Sequence, residues 1–214
     1  TIETKKKVIA FHEGLCDACV TKNWKGSVDW DERERKLLDL CDQHRSKDGS
    51  YDCLVPGSGG KDSFMQAHLL KYKYGMNPLT ITWAPHIYTD WGWRNFQKWI
   101  HAGFDNILMT PNGRTHRLLT RLATERLLHP FQPFIIGQRH LAAKLAARYD
   151  IKLIFYGESG AEYGNPSTEN DNAKREFSEY EHFTKVRHSL AFRERRRYEF
   201  KQYAAASRTL RHYG

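Results

Sequence analysis

Short apolar runs alternate with longer segments of helical spacing through the middle of the chain. The apolar runs are bounded by Gly, Pro or Asn and predict strands at Asp52–Val55, Leu79–Trp83, Asn106–Met109 and Lys152–Tyr156. The segments between them have the 3.6-residue period and predict helices at Asp62–Tyr74, Trp91–Ala102, Thr115–Leu128 and Gln138–Tyr149. An earlier helix is predicted over Val28–Lys47, with Asp29 as its N-cap. This alternation predicts an α/β fold, a parallel twisted sheet with helices on both faces.

The pattern divides the chain into three parts. Residues 1–28 read as a small, irregular N-terminal module, and residues 29–166 as the α/β domain. Residues 167–214 begin within a polar stretch that predicts a loop and continue into a basic helix over 185–203. Ligands of parallel sheets bind at the carboxyl ends of the strands. The segments 57–63, 83–90 and 157–165 are therefore the candidate binding loops.

Positive charge is concentrated at the C-terminal end. The formal net charge is +9, and residues 185–214 hold nine Lys/Arg against two Asp/Glu. Such a balance suits an anionic partner such as RNA, a nucleotide or a phosphorylated sugar. The run Arg193, Arg195, Arg196 and Arg197 is typical of a solvated helix face. Its functional readings are an RNA contact, a phosphate clamp for a sugar nucleotide, or a docking surface for a partner subunit.

Cysteine usage points to metal or redox chemistry. Cys16 and Cys19 form a C-x-x-C pair, whereas Cys41 and Cys53 lie singly within a helix and a strand pattern. This is not a disulfide framework, and no secretory signal or membrane-spanning apolar run is visible, so we expect a cytoplasmic protein. The pair supplies half of a four-ligand structural zinc site.

The strongest chemical signal is the loop Ser58-Gly59-Gly60-Lys61-Asp62-Ser63. Two adjacent glycines let the backbone approach an anion closely, and the N-terminus of the following helix attracts negative charge. Ser58 and Ser63 add hydroxyl donors, and Lys61 adds a mobile cation. Asp62 beside a phosphate suits a divalent cation or a backbone cap. The spacing is not that of a Walker A loop, which needs G-x-x-x-x-G-K-[ST].

The loop resembles the PP-loop of N-type ATP pyrophosphatases, which are adenine nucleotide alpha hydrolase-like proteins. That resemblance implies cleavage of ATP between the α and β phosphates, giving AMP and pyrophosphate. Three further stretches are similar to the N-acetyl sugar amidotransferases of surface-polysaccharide and pseudaminic-acid-type sugar pathways. They are residues 51–56 (YDCLVP), 129–138 (HPFQPFIIGQ) and 156–166 (YGESGAEYGNP).

The resemblance implies an amidotransferase reaction. ATP adenylates the acetamido oxygen of a nucleotide-linked N-acetyl sugar, and ammonia from a separate glutaminase subunit then displaces AMP to leave an acetamidino group. Family members are longer and carry a second C-x-x-C upstream, which would complete a zinc knuckle with Cys16 and Cys19. The chain starts at Thr1 rather than Met and does not resemble the family over residues 167–214, so we expect it either to be incomplete at its start or to lack segments near its end.

Several side chains have expected roles at this site. The loop residues Ser58–Ser63 would hold the β,γ-phosphates, and Lys61, Asp62 and Glu158 would be catalytic, with Glu158 also binding Mg²⁺. Gly157 and the end of the second strand would contact the nucleotide, with adenine near Thr82, Trp83 and Ala84. Candidate substrate contacts are Gln138, Glu162 and Tyr163, with Gln138 as readily a helix cap. The histidines His116, His129 and His140 are predicted to be structural.

Two other functions remain open from the residues alone. A PP-loop enzyme that modifies tRNA, of the thiolase type, would also combine this loop with paired cysteines and a basic tail. A regulatory subunit that binds ATP without turnover is the non-enzymatic alternative. Homo-oligomerisation is compatible with either function, and the sequence does not decide it.

Overall fold

The computed structural model describes residues 11–157 of the 214-residue chain. Within that range the chain divides into two compact units, one ending at Leu40 and the other beginning at Cys41. No helix among residues 11–157 has both the length and the apolar character that a membrane crossing requires.

The first unit is built from a small hairpin, one helix and most of a second helix, whose last turn belongs to the second unit. Strands β1 (Phe11–His12) and β2 (Leu15–Cys16) pair antiparallel, and the turn between them places Glu13 and Gly14 at positive φ. Helices α1 (Asp17–Ser27) and α2 (Trp30–His44) follow. The backbone N–H of Glu32 donates to Asp29 Oδ1 at 2.8 Å, which confirms the predicted N-cap.

The prediction of irregular structure for residues 1–28 is wrong from Phe11 onward. Helix α1 gave no periodic signal because its apolar side chains are few and lie partly in solvent, with Trp24 58% exposed. Helix α2 lies inside the predicted Val28–Lys47 and is shorter at both ends.

The second unit is centred on a parallel sheet. Strands β3 (Cys53–Pro56), β4 (Pro78–Trp83) and β5 (Asp105–Met109) pair side by side in that order. On the other side of β3, a short segment pairs through a single parallel bridge between Leu54 and Ile154. Two backbone hydrogen bonds of 2.9 Å hold it, from Leu54 N to Leu153 O and from Phe155 N to Leu54 O. The predicted fourth strand is therefore one bridge rather than a full strand.

Four helices connect these strands, as the pattern predicted. They are α3 (Lys61–His68), which continues as a π-helical turn at Leu69–Lys73, α4 (Asp90–Ile100), α5 (Gly113–Leu127) and α6 (Gln132–Arg148). Helix α6 begins six residues before the predicted start at Gln138. The helix can begin before Pro133 because this proline lies in the first turn, where backbone N–H groups have no partner within the helix.

Both faces of the sheet are covered. Apolar side chains of α6 and of the segment after it pack against one face, in a cluster of Leu54, Leu79, Ile81, Leu141, Ala142, Leu145, Ala146 and Ile151. Cys53 and Val55 alternate with Leu54, so they point to the opposite face, and both are fully buried. Helix α3 contacts β3, and its Phe64 ring lies 5.7 Å from that of Trp99 in α4. The α/β class predicted from the sequence is thereby confirmed.

The strand order contains a reversal beside β3. From β3 the chain builds outward to β4 and then to β5, and it returns to the opposite side of β3 at Ile154. The strand order therefore reverses between β3 and the segment at Ile154, which makes this position a switch point of the sheet. In open α/β sheets, the crevice at such a switch point is where ligands bind. The glycine-rich loop follows β3 and so lies at this crevice.

Candidate nucleotide-binding site

The loop after β3 has the form of an anion cradle. It joins the last strand residue, Pro56, to the first residue of α3, Lys61, in four residues. Gly59 has φ +88°, a conformation that glycine adopts without strain. Gly60 is the N-cap of α3, and no side chain caps this helix end. A helix start of this kind offers backbone N–H groups and the positive end of the helix dipole to an anion.

The glycines are required by the packing beneath the loop. A Cβ at Gly57 would lie 2.7 Å from Ser63 Cβ and 2.9 Å from the Trp99 ring. A Cβ at Gly59 would overlap the backbone carbonyl of Asn95 in α4. A Cβ at Gly60, in contrast, would meet nothing within 4 Å. The loop is therefore tightly packed on α4 and open at Gly60, where a phosphate would approach.

A series of hydrogen bonds between buried polar side chains of β4 and β5, called the buried ladder below, holds the loop in place. Thr82 Oγ1 donates to the Gly57 carbonyl at 2.7 Å. The Asn106 amide donates to Thr82 Oγ1 at 3.2 Å and to Thr80 Oγ1 at 3.0 Å, and Thr80 donates to the Asp105 carbonyl at 2.8 Å. Thr80 and Thr82 are at most 1% exposed. The Thr82 hydroxyl thus faces the glycine-rich loop, so the predicted contact of this residue with adenine would have to come from its backbone.

Sequence reasoning missed Thr80 and Asn106 in this ladder. The available signal was a pair of threonines two residues apart in an otherwise apolar strand, since that spacing places both hydroxyls on one face. Buried hydroxyls on one face need partners. Their partners lie about 25 residues away in sequence and only the paired strands reveal them.

Lys61, Asp62 and Ser63 begin α3 at the open side of the loop. Lys61 Nζ lies 2.8 Å from Asp62 Oδ1, and their side chains are 90% and 49% exposed. Exposed ion pairs contribute little to stability, so this pair can separate to meet a phosphate and a cation. Ser63 Oγ donates to the Gly60 carbonyl at 3.2 Å. Ser58 is also exposed.

The segment after Ile154 closes against the start of α3. A Cβ at Gly157 would lie 2.7 Å from Ser63 N and 3.0 Å from Ser63 Cα, so only glycine fits there. Gln66 Nε2 donates to the Tyr156 carbonyl at 3.0 Å and fixes the same approach. The structure thereby places Gly157 beside the glycine-rich loop and the start of α3, and its predicted contact with the nucleotide stays a prediction. Three further predicted site residues, Glu158, Glu162 and Tyr163, lie outside the described residues, as does the tail with its arginine run.

Gln138 does not occupy the position that the sequence suggested. It lies inside α6, six residues after the first residue of the helix, and its side chain is exposed. The prediction that it stands at a helix start, where it might cap, is therefore wrong. Of the two prolines before it, Pro130 precedes the helix and Pro133 occupies its first turn.

Five aromatic side chains lie close together where β4 ends. Trp83, the last residue of β4, lies so closely on Gly137 of α6 that a Cβ at Gly137 would overlap its indole. His116 in the first turn of α5 lies 6.1 Å from the Trp83 ring and 4.4 Å from the His86 ring. Phe131 and Phe134 complete the group around His86, at 6.5 and 5.7 Å. These five residues are called the ring cluster below. Ala84 beside it is buried and donates its backbone N–H to Met109 O.

Two histidines that the sequence predicted to be structural, His116 and His140, are buried. Burial, followed by the nearby charge of His86, lowers the pKa of His116. Burial also lowers the pKa of His140 in α6, to about 4. One ring nitrogen of each histidine, Nε2 of His116 and Nδ1 of His140, is buried with no hydrogen-bond partner among residues 11–157. Each of these two nitrogens therefore lacks the partner that a buried polar atom usually has.

In the first unit, the paired cysteines are arranged as zinc ligands would be. Cys16 is the N-cap of α1 and Cys19 lies in its first turn, with the two sulfurs 3.6 Å apart. Two thiolates on a tetrahedral zinc, at about 2.3 Å each, would be roughly 3.8 Å apart. The backbone of Cys19 hydrogen bonds to the Cys16 sulfur and lowers the pKa of that thiol. The pair fits half of the site, and residues 11–157 contain no group of three or more metal-binding side chains.

Part of the chain is similar in sequence to a known protein. No family model matches the chain. A stretch of 80 residues, 36% of the chain, is 31% identical to an uncharacterized protein of Methanocaldococcus jannaschii. The matched stretch spans 28% of the length of that protein, whose name assigns no activity.

Proposed function

We propose that the chain is a cytoplasmic PP-loop enzyme that binds ATP and releases pyrophosphate while adenylating a substrate. One observation carries the proposal: the sequence SGGKDS stands between a parallel strand and a helix start, at the switch point of the sheet. Supporting it, the Thr82 hydroxyl holds the loop at the Gly57 carbonyl, and the open side of Gly60 leaves room for phosphate.

The proposed substrate is the acetamido group of a nucleotide-linked N-acetyl sugar. The support is the resemblance of residues 51–56, 129–138 and 156–166 to the N-acetyl sugar amidotransferases. The acetamido oxygen attacks the α-phosphorus of ATP, and the bond to the β,γ-pyrophosphate breaks. Ammonia then adds to the acetamido carbon, the carbon–oxygen bond breaks, and AMP leaves with that oxygen. The product is an acetamidino sugar.

The loop residues have defined tasks in this scheme. The backbone of Gly59 and Gly60 and the hydroxyls of Ser58 and Ser63 hold the β,γ-phosphates, and Lys61 neutralises negative charge that builds up on the leaving pyrophosphate. Asp62, partly exposed at the same helix start, fits a role in holding Mg²⁺. When bound, Mg²⁺ would neutralise phosphate oxygens. Ammonia is itself the nucleophile, so the scheme requires no strong general base.

Two partners and one further metal belong to the proposal. Ammonia would come from a separate glutaminase subunit, as in the family that the chain resembles. Cys16 and Cys19 would hold a structural zinc ion with two ligands from outside the described residues, and their sulfur separation of 3.6 Å supports this. The zinc would stabilise the N-terminal unit and take no part in the reaction.

A tRNA-modifying PP-loop enzyme is the second candidate. The side-by-side thiols of Cys16 and Cys19 favour it, because enzymes that transfer sulfur also use paired cysteines. In the structure this pair belongs to the first unit, whereas the phosphate loop belongs to the second. The two candidates differ in their substrate, so one assay separates them.

The test is pyrophosphate release from MgATP with ammonium, using nucleotide-linked N-acetyl sugars in one series and bulk tRNA in another. We expect release only with a sugar, and a product about one dalton lighter by mass spectrometry as oxygen becomes NH. Lys61→Met should abolish release, whereas Lys36→Met, which removes an exposed lysine from α2, should not. Release that requires tRNA would refute the amidotransferase and support the second candidate. Nucleotide binding with no release under any condition would indicate a regulatory subunit.

A further inference from the structure

One face of helix α4 carries an aromatic side chain and three polar ones in solvent. These residues are spaced three or four apart, so they lie along one side of the helix, and all of them are exposed. They are called the α4 stripe below and are Trp91, Arg94, Asn95 and Lys98. The helix buries Phe96 and Trp99 instead. No residue of the stripe belongs to the ring cluster at the end of β4.

Trp91 presents its indole to solvent beside a cation. The residue is 71% exposed, and the guanidinium of Arg94 lies over its ring at 5.1 Å from the centroid. This cation–π contact uses one face of the ring, and the high exposure leaves the rest of the indole open. Ile87 and Trp93, before and after it in sequence, are exposed as well, so Trp91 is not an isolated exposed apolar side chain. Packing of a ligand on the indole would remove apolar surface from water.

The start of α4 is fixed before any ligand arrives. Thr89 caps the helix, since its Oγ1 accepts from the Gly92 N–H at 3.0 Å and its carbonyl accepts from the Trp93 N–H at 2.8 Å. The Trp93 ring also packs edge-on against Tyr88, with 5.3 Å between the centroids. The backbone that carries Trp91 is therefore held in place, which lowers the entropic cost of binding.

The α4 stripe adjoins the glycine-rich loop. A Cβ at Gly59 would lie 2.3 Å from the Asn95 carbonyl oxygen, so the loop backbone touches the helix at this point. Trp91 lies about one turn, or roughly 6 Å, nearer the start of the helix. Because α4 follows the carboxyl end of β4, this turn stands at the edge of the sheet where ligands bind. A substrate that reacts with a nucleotide on the loop can therefore rest on the stripe.

The chemistry of the stripe fits a phosphorylated sugar. One face of a pyranose ring consists of C–H groups, and such a face packs on a flat indole as other apolar surfaces do. Arg94 and Lys98 supply cations for phosphate, and the Asn95 amide both donates to and accepts from hydroxyl or acetamido groups. Asp90, exposed in the first turn of α4, adds an acceptor for sugar hydroxyls. Its negative charge opposes a polyanion such as RNA.

We propose that the α4 stripe is the sugar subsite, on which the pyranose ring of the nucleotide-linked sugar packs against Trp91 and its phosphates bind Arg94 and Lys98. This deepens the proposed function, on which it rests for the sugar nucleotide as substrate. The stripe positions the sugar and determines specificity for it, whereas the glycine-rich loop holds ATP.

Titration calorimetry on the full chain compares Trp91→Ala with Trp24→Ala. Trp24 is the matched control because it is also an exposed tryptophan on a helix, in the first unit. The protein is first saturated with Mg²⁺ and α,β-methylene-ATP, which cannot be cleaved between the α and β phosphates. The titrants are UDP-N-acetylglucosamine, UDP-N-acetylgalactosamine and CMP-N-acetylneuraminate, with UDP and CMP as probes that have no sugar. Circular dichroism establishes that each variant is folded, and Trp91→Phe serves as a second variant that keeps a flat ring.

We expect Trp91→Ala to weaken binding of the nucleotide-linked sugars about tenfold, as loss of a stacking contact does. Its affinity for UDP, for CMP and for the ATP analogue should equal that of wild type. Trp91→Phe should recover most of the loss, and Trp24→Ala should bind every probe as wild type does. Arg94→Gln should weaken the sugars and the free nucleotides alike, because both carry the phosphates.

Other outcomes overturn the inference. Unchanged affinity of Trp91→Ala for every nucleotide-linked sugar that wild type binds would overturn the subsite and leave the proposed function intact. An equal loss for the sugars and for the free nucleotides, or for the ATP analogue, would overturn it too, because the effect would then not depend on the sugar. Wild type that binds the ATP analogue but none of the sugars would overturn both the subsite and the sugar substrate. Wild type that does not bind the ATP analogue would overturn the proposed ATP site itself.

Discussion

Replacing Thr82 by valine should test whether the buried ladder holds the phosphate loop. Valine keeps the shape of threonine and removes its hydroxyl, which donates to the Gly57 carbonyl at 2.7 Å and accepts from Asn106 at 3.2 Å. Leaving buried partners unsatisfied costs about 1–3 kcal/mol, and the added methyl group returns up to about 0.8 kcal/mol. We therefore expect a net loss of about 1–2 kcal/mol in the free energy of unfolding.

Thr80→Val supplies the matched control for this prediction. Thr80 has the same burial and a similar set of bonds, to the Asp105 carbonyl and from Asn106, but it does not touch the loop. Urea denaturation should give both variants a similar loss of stability with an unchanged slope. Titration calorimetry should show that only Thr82→Val weakens MgATP binding, by roughly three- to tenfold, or about 1 kcal/mol.

Two results would contradict this prediction. Binding of MgATP by Thr82→Val as tight as by wild type would mean that the loop keeps its shape without this bond. An equal loss of affinity in both variants would report general destabilisation of the sheet rather than support of the loop.

Three further predictions concern the glycines, a buried histidine and the cysteine pair. Gly59→Ala should lose about 1–2 kcal/mol of stability from the left-handed backbone alone, and more from overlap with α4, whereas Gly60→Ala should fold normally and weaken MgATP binding. The folded pKa of His140, about 4, lies below its ordinary value of 6.5, so the unfolded chain binds the extra proton between these values. Stability should therefore be full above about pH 6.5 and fall by about 3 kcal/mol as pH drops towards 4. Cys16→Ser and Cys19→Ser should each lower the zinc content measured by atomic absorption without removing MgATP binding.

Each of these has a result that would contradict it. Equal stability of the alanine variants at positions 59 and 60, in thermal unfolding, would show that the positive φ is not required. The acid loss of stability should shrink in His140→Leu, and an unaltered pH profile would assign it to other groups. Zinc content equal to wild type in both serine variants would remove the cysteines from the ligand set.

Local pattern alone located most of the elements of the second unit. The strands at 53–56, 78–83 and 105–109 fall within one residue of their predicted bounds, because buried strands are short apolar runs that turn residues interrupt. The glycine-rich loop was likewise predicted, because adjacent glycines allow a tight turn and a close approach of the backbone to another group. Helices were less exact at their ends. Helix α1 was missed because it has no apolar stripe, and the start of α6 was placed six residues too late because its first turn contains a proline.

The sequence by itself determined the α/β class, the order of the elements of the second unit and the position of the glycine-rich loop, since these depend on periodicity and on conformational preferences over a few residues. Only the tertiary structure decided the strand order, the support of Gly57 by Thr82, and the close approach of Gly157 to Ser63. It also decided that His116 is buried with an unpaired nitrogen. These features join residues that are far apart along the chain, and which distant groups meet is settled by the packing of the whole sheet rather than by any local pattern.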